Sequence, residues 1–164
     1  MKQLLGASAN MTQLASWDKQ AAGDGCPFDA PRVESNKYWD LIRRLSVSSL
    51  YLSANQVYRG HCLLIFDPRH AIRVDQLTEP EWARFCTDLY AAQKAIVRAL
   101  KPDHINIATM GNMIPHLHFQ IVPRYRTDPR WGAPIWTTTQ EEMLNLKLAN
   151  SDRVTLIANL REML

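Results

Sequence analysis

The chain has 164 residues, of which 46% are hydrophobic and 21% charged, a composition typical of one globular domain. Nineteen Lys and Arg residues against 16 Asp and Glu give a formal charge of +3, too small to indicate a nucleic-acid or membrane binder. Three cysteines form no disulfide framework, and no apolar N-terminal signal segment is present. We expect a cytoplasmic protein with neither a nucleic-acid nor a membrane partner.

The first third of the chain predicts an arm, a short helix and two strands. Residues 1–25 are rich in small and polar side chains and are interpreted as an N-terminal arm. Asn36 is placed to cap a short helix over residues 38–45. Two strands are predicted at residues 49–53 and 61–66.

A capping signal begins the longest predicted helix. Thr78 is followed three residues later by Glu81, the pairing of a capping box, and Pro80 suits a first helical turn. Apolar side chains then recur every three or four residues, and Pro102 ends the pattern. The predicted buried stripe consists of Trp82, Phe85, Leu89, Ala92, Ile96 and Leu100.

A second pair of strands and a helical tail complete the predicted elements. The strands are predicted at residues 105–110 and 116–122, and the tail helices at 141–148 and 152–164. This order predicts an α+β fold with an antiparallel sheet. We expect a main domain over residues 26–137 and a C-terminal helical extension of that domain over 138–164.

The most informative segment is the last predicted strand, which carries His116, His118 and Gln120 at alternate positions. Alternate side chains of a strand share one face, so two imidazoles and an amide would lie in a row. Three interpretations compete: a solvated polar face, a metal site completed by His61 or His70, and an imidazole that attacks phosphorus.

Further segments extend this pattern into a resemblance to the histidine triad (HIT) family. Residues 59–70 are similar to the family's upstream strand and to its Pro-Lys/Arg-x-His turn, which is one residue shorter here. Residues 77–81 are similar to the start of its long helix, and residues 111–115 to its Gly-Gln-x-Val-x loop. The region after the triad is similar to compact bacterial members, and the likeness covers residues 26–136. The segments are 59–70, 77–81, 111–115 and 124–136.

The resemblance implies a HIT-like fold, with a long helix on the sheet, and it implies catalytic roles. In the family the middle histidine attacks the α-phosphate of a nucleotide and carries a covalent nucleotidyl intermediate, and here that position is His118. His116 is implied to contact the phosphate or support the site, and His61 to approach from the neighbouring strand. We expect a backbone carbonyl to hold one ring nitrogen of His118 as N–H, so that the other presents its lone pair.

Four residues are candidates for substrate binding. Asn106 matches a polar residue that lies near the phosphate in the family, and Asn55 is a candidate for a ribose contact. For both, a purely structural role, as a strand-end polar group and a turn residue, stays open. The backbone N–H groups of Asn112 and Met113 are candidate phosphate donors, although Met113 lacks the hydroxyl that relatives place there.

Gln120 is the departure from the triad that affects the predicted chemistry. An amide cannot ionise but can donate to and accept from a phosphoryl oxygen. His-x-His-x-Gln is the pattern of the transferase branch, whereas the rest of the chain is similar to short hydrolases. The prediction is a nucleotide hydrolase or nucleotidyltransferase acting at the α-phosphate of a nucleoside phosphate or dinucleoside polyphosphate. The alternatives are a nucleotide-binding protein with little turnover and a His-x-His metalloprotein.

No cofactor is predicted for the protein itself, although Mg²⁺ could accompany a polyphosphate substrate. Some relatives bind zinc through Cys-x-x-Cys; here Cys26 is followed by Asp29 in the second place, so we expect no metal. The family resemblance implies a homodimer. Residues 59–73 and 116–136 each hold three arginines against one aspartate, which we interpret as a positive field suited to phosphate.

Overall fold

A computed structural model describes residues 14–128, 130–135 and 148–164. At its centre is an antiparallel sheet with the strand order β1-β2-β3-β5-β4, which confirms the predicted α+β fold. No helix within these ranges is long and apolar enough to cross a membrane. The strands are β1 Trp39–Arg44, β2 Ser48–Ser53, β3 Cys62–Phe66, β4 His104–Ala108 and β5 His118–Arg124; the helices are α1 (residues 14–21), α2 Glu79–Leu100 and α3 Asn150–Met163.

The short helix predicted at residues 38–45 is wrong, because this segment forms β1. Asn36 does accept hydrogen bonds from two N–H groups at the start of the segment, at 2.7 and 3.0 Å, but a strand follows. A bulge between Leu41 and Arg43 interrupts the pairing with β2, and Leu41 and Ile42 are both buried. The extra residue breaks the two-residue period of a strand and so imitates helical spacing.

The long helix begins as predicted. The Thr78 hydroxyl accepts from the Glu81 N–H, and the Glu81 carboxylate accepts from the Thr78 N–H at 2.8 Å. Phe85 and Ile96 are fully buried, whereas Trp82 is 39% exposed. Trp82 lies in the first turn, where its ring contacts Phe85 and Phe119 along one side only.

The two faces of the sheet have different coverings. One face packs against α2 and α3 and forms the main apolar core. The other face carries His118 and Gln120 and is covered in part by residues 26–33, which also line a cleft beside it. The main core includes Leu50, Leu52, Leu64, Phe66, Phe85, Ile96, Phe119, Ile121, Leu156 and Leu160.

Helices lie toward both ends of the chain, and the C-terminal one packs on this core. Within the predicted N-terminal arm, residues 14–21 form α1. Helix α3 coincides with the tail helix predicted at 152–164, and its Arg161 guanidinium donates to the backbone carbonyls of Leu41 and Ile42 at 2.8 and 2.9 Å. Residues 141–147 of the other predicted tail helix lie outside the described residues.

Asp88 joins α2 to the turn between β1 and β2. Its carboxylate is 4% exposed and accepts hydrogen bonds from the Ser46 N–H and hydroxyl at 3.2 and 2.8 Å. The Val47 N–H and the Ser48 hydroxyl donate to the same carboxylate at 2.9 and 2.7 Å. One buried side chain therefore satisfies four donors of a tight turn.

Candidate active site

His118 is the first residue of β5, and a backbone carbonyl sets the orientation of its ring. Its Nδ1 lies 2.7 Å from the His116 carbonyl oxygen, which can only accept, so Nδ1 carries the proton. The Phe28 ring packs edge-on against the imidazole at 5.2 Å. Burial lowers the pKa of His118, and the carbonyl hydrogen bond opposes this shift. The neutral ring therefore presents the Nε2 lone pair that a nucleophile requires.

The His116 ring points to a different environment from His118. His116 lies in the loop before β5, and its Nε2 donates to the Phe66 carbonyl at 2.7 Å. Its Nδ1 therefore faces Asp29 Oδ1 at 3.2 Å and Cys26 Sγ at 3.7 Å. Burial lowers the pKa of His116. His116 contacts the His118 ring through its backbone carbonyl, whereas the sequence predicted the two imidazoles in the same row.

Gln120 lies two residues beyond His118 on β5, on the same face. Its cross-strand neighbours are Leu63 on β3 and Ala108 on β4, both apolar. His61, which precedes β3, lies beside Gln120 and His118. The His61 ring is 9% exposed, and neither of its nitrogens has a hydrogen-bond partner of ordinary geometry in the described part of the chain.

The loop before β3 is built to hold His61 in place. The Gln56 amide donates to the Ser53 and His61 carbonyls at 2.7 and 3.1 Å, and its oxygen accepts from the Gly60 N–H at 2.7 Å. Gly60 has φ +88°, and a Cβ there would lie 2.1 Å from Leu100 Cδ1. Sequence reasoning missed Gln56, because a glutamine in a loop carries no local signal of burial.

Burial gives His61 a pH-dependent effect on stability. It lowers the pKa of His61 to about 4, against the opposing effect of Gln120, so folding excludes a proton that the unfolded chain binds below pH 6.5. Stability is then complete above pH 6.5 and falls as the pH drops toward 4. Between pH 7 and pH 5, the free energy of unfolding of the unsubstituted protein should fall by about 2 kcal/mol more than that of His61→Gln. Denaturant unfolding at the two pH values measures this, and equal losses would contradict it.

The loop over residues 111–114 carries the predicted phosphate donors. Asn112 and Met113 are exposed, and their N–H groups donate to no backbone carbonyl within the described ranges. The indole Nε1 of Trp17, on α1, donates to the Gly111 carbonyl at 2.7 Å. The predicted arm therefore anchors this loop, a contact that no spacing in the sequence indicated.

A cleft of 1210 Å³ adjoins the site on the β3 side. Phe28, Trp39, Leu63 and Ile114 contribute its apolar wall, and Asn55 lies on its lining, as a ribose contact requires. The Asn55 side-chain oxygen also accepts from a loop N–H at 3.2 Å, so Asn55 has the turn role as well.

Arg32 holds residues 26–33 on the sheet, a role that the sequence did not predict. Its side chain is 1% exposed and donates to the Phe28 carbonyl and to the Asp67 carboxylate, while its Nε lies 3.4 Å from the Tyr51 hydroxyl. Because Phe28 packs on His118, Arg32 positions a wall of the site.

Asn106 lies farther from His118 than the other candidates. It pairs with Val122, four residues along β5 from His118, or about 13 Å at the usual strand rise. Its side-chain oxygen accepts from Arg124 Nη1 at 2.7 Å. This contact supports the structural role that the sequence left open.

The arginines that suggested a field for phosphate are largely engaged in local ion pairs. Arg69 pairs with the half-buried carboxylate of Glu81, and Arg73 with the exposed carboxylate of Asp75. Arg124 is buried and binds Asp128 at 2.6 Å. Arg126 lies 3.5 Å from Asp103. Glu81, Asp75 and Asp103 lie outside the two segments, so their ion pairs reduce the positive charge from which the phosphate field was predicted.

Four side chains could together hold a metal ion. Cys26, Asp29, His70 and His116 place one donor atom each within 4.8 Å of one another. The His116 lone pair at Nδ1 points at Asp29, and His70 Nδ1 lies 2.9 Å from Asp29 Oδ1. A thiolate, a carboxylate and two imidazoles are a donor set that Zn²⁺ accepts, and closing to bonds of about 2.0–2.3 Å needs small side-chain shifts. The expectation of no zinc considered only the missing second thiolate.

Known proteins share this fold. A HIT domain family model matches residues 36–127, more than half of the chain. The fold is similar to a HIT protein of Sinorhizobium meliloti, with a TM-score of 0.70, 20% identity, and coverage of 78% of this chain and 91% of that one. It is also similar to a histidine triad protein of Bradyrhizobium japonicum, with a TM-score of 0.70, 26% identity, and coverage of 77% and 91%.

A more distant structural match is a zinc-bound histidine triad family protein of Mycobacterium smegmatis, with a TM-score of 0.53, 19% identity, and coverage of 87% of each chain. No curated protein matches the sequence. Members of the matched family are generally nucleotide hydrolases or transferases. By the extent of the family match, the chain belongs to the histidine triad domain family.

Proposed function

We propose that the protein is a nucleotide hydrolase or nucleotidyltransferase whose His118 forms a covalent intermediate with the α-phosphate of its substrate. The observation that supports this best is the hydrogen bond from His118 Nδ1 to the His116 carbonyl. It leaves Nε2 as the lone pair and stabilises the charge that the ring gains when Nε2 bonds to phosphorus. The substrate class is a nucleoside phosphate or dinucleoside polyphosphate.

The surrounding residues suit the other parts of a nucleotide. The apolar cleft on the β3 side is large enough for a base and ribose, with Asn55 on its lining. The Gln120 amide and the N–H groups of Asn112 and Met113 are neutral donors for phosphoryl oxygens. His61 offers a further N–H at the buried end of the site.

The test is to incubate the protein with α-³²P-labelled nucleotides and to recover acid-labile labelled protein, with and without inorganic phosphate. Turnover in buffer alone supports hydrolysis, and turnover that requires phosphate supports transfer. Tight mononucleotide binding with neither turnover nor labelled protein would instead establish the binding protein with little turnover. Exposed His104 provides the matched control, since His104→Ala should keep the label.

A metal-binding role has one observation in its favour, the donor cluster of Cys26, Asp29, His70 and His116. We propose that Zn²⁺ binds there as a structural ion, while His118 remains outside the cluster. The histidine triad family protein of M. smegmatis is a zinc-bound structure. The protein purified without added chelator is expected to hold about one zinc per chain by elemental analysis. Asp29→Ala should lower this content and His118→Ala should not. Equal zinc in both variants would contradict the site.

We also propose a homodimer, formed through β4. This strand lies at the edge of the sheet order, and its Ile107 is 40% exposed. Light scattering after size exclusion is expected to give the mass of two chains, and Ile107→Lys the mass of one. Val154→Lys, at an exposed apolar position of α3, should leave the mass unchanged. A one-chain mass for the unsubstituted protein would contradict the proposal.

A further inference from the structure

We propose that α1 positions a phosphate donor of the site through one hydrogen bond, from the Trp17 indole to the Gly111 carbonyl. Trp17 is then a positioning residue: it fixes the peptide group between Gly111 and Asn112, and with it the direction of the Asn112 N–H. The inference rests on the proposed function, in which that N–H donates to a phosphoryl oxygen.

The loop that carries this donor has few other ties to the rest of the protein. Residues 111–113 lie beyond the last pair in the register of β4 and β5, and Asn112 and Met113 are exposed. Within the described part of the chain, these three residues make one hydrogen bond to another element, from Trp17 Nε1 to the Gly111 carbonyl at 2.7 Å. The conformation of the loop at this point therefore depends on α1.

The Gly111 carbonyl and the Asn112 N–H belong to one trans peptide group. Such a group is planar, and its C=O and N–H point in opposite directions. When the indole holds the carbonyl toward α1, the Asn112 N–H is turned to the opposite side. A hydrogen bond to the carbonyl also polarises the group and strengthens its N–H as a donor. Trp17 thus sets the direction and the strength of a donor that it does not touch.

The residue type at position 112 does not by itself hold this orientation. Asn112 has a negative φ, and a flip of the preceding peptide would carry φ into the positive region, as in the change from a type I to a type II turn. Asparagine enters that region more readily than most other residues with a side chain. Without the Trp17 bond the flipped peptide is accessible, and it would present a carbonyl to an anion in place of an N–H.

A helix can position a loop only if the helix itself is held. The end of α1 forms a turn in which the Gly23 N–H donates to the Gln20 carbonyl at 2.9 Å. A Cβ at Gly23 would lie 3.8 Å from His70 Cγ, so the turn lies beside the His70 ring. The chain then continues into residues 26–33, which Arg32 holds on the sheet. The C-terminal end of α1 is thus fixed next to the site.

The test is the binding of a nucleoside 5′-monophosphate to ¹⁵N-labelled protein, with whichever of AMP, GMP, CMP and UMP binds most tightly. Trp17→Phe keeps an aromatic ring and loses the N–H. We expect it to weaken binding by about 10-fold, and to remove the shift that the ligand causes in the Asn112 amide resonance of the unsubstituted protein. Trp131→Phe, at a tryptophan that is 47% exposed, is the matched control and should leave the affinity unchanged.

Two further measurements separate this role from a general loosening of α1. Valine resists positive φ, so Asn112→Val added to Trp17→Phe should restore most of the lost affinity, which it would not do for a loosened helix. Binding and the Trp17 bond are also linked reciprocally. In the unsubstituted protein the ligand should therefore slow hydrogen exchange of the Trp17 indole N–H by a similar factor, of about 10.

Unchanged affinity in Trp17→Phe would overturn the inference, and so would an Asn112 amide resonance that no monophosphate shifts in the unsubstituted protein. The labelled intermediate decides the proposed function separately. If His118 is never labelled while Trp17→Phe weakens binding and Asn112→Val restores it, the proposed catalysis fails and the positioning role stands. Labelled His118 together with equal affinity of Trp17→Phe and the unsubstituted protein rejects the inference alone.

Discussion

Replacing His118 with alanine is expected to lower kcat for the nucleotide substrate by at least about 10⁴-fold and to abolish the labelled intermediate. The substitution removes His118 Nε2, the only ring nitrogen of β5 whose lone pair is directed away from the backbone. Neither His116 nor His61 can replace it. The His116 ring is turned to the Phe66 carbonyl, and the His61 ring lies on the neighbouring strand beside Gln120. Steady-state turnover of the substrate found by labelling measures the effect.

His104→Ala is the matched control, because His104 is an exposed histidine at the start of β4 and pairs with Arg124, at the far end of β5. It should keep turnover within a few-fold of the unsubstituted protein. Labelled protein recovered from His118→Ala would show that another side chain is the nucleophile. A folded state of each variant is checked by its far-ultraviolet circular dichroism.

Replacing Asp88 with alanine is expected to lower the free energy of unfolding by about 3–4 kcal/mol. The Ser46, Val47 and Ser48 donors that converge on the carboxylate would lose a buried acceptor, and the turn would lose its link to α2. At about 2–4 °C per kcal/mol for a chain of this size, Tm should fall by about 10 °C. Guanidinium unfolding monitored by tryptophan fluorescence measures the loss.

Two variants separate the effect of the buried acceptor from that of removing any aspartate. Asp88→Asn keeps one acceptor oxygen and should lose less stability than Asp88→Ala. Asp75→Ala removes an exposed carboxylate that pairs with Arg73, and should leave Tm unchanged. Equal stability of Asp88→Ala and the unsubstituted protein would show that the turn is held by β-pairing alone.

Local sequence signals predicted most of the sheet and the long helix. The Thr78–Glu81 capping box is a property of four residues, and the strands around Leu64 and Phe119 are apolar runs with clear ends, so both are visible without tertiary contacts. The bulge in β1 was not visible, because it depends on the register with β2. The same limit applies to Trp82, whose exposure depends on where the sheet ends.

The sequence predicted the part of the candidate site that lies on a single strand. It did not predict the parts that form where distant segments of the chain meet. His118 and Gln120 lie two residues apart on β5, and strand alternation alone brings them to one face. The cluster of Cys26, Asp29, His70 and His116 joins three separate parts of the chain, so its donors could not be counted from spacing. Gln56 and Arg32 were missed for the same reason.

The contact between His116 and His118 has a consequence for how this protein can vary. The proposed nucleophile, His118, is oriented by the main-chain carbonyl of His116, an atom that every amino acid supplies, whereas the donor cluster uses the side chain of His116. Changes of the side chain at position 116 can therefore alter or remove the proposed ion site without removing the acceptor that sets the tautomer of His118. The two properties share a residue, yet selection can act on each of them separately.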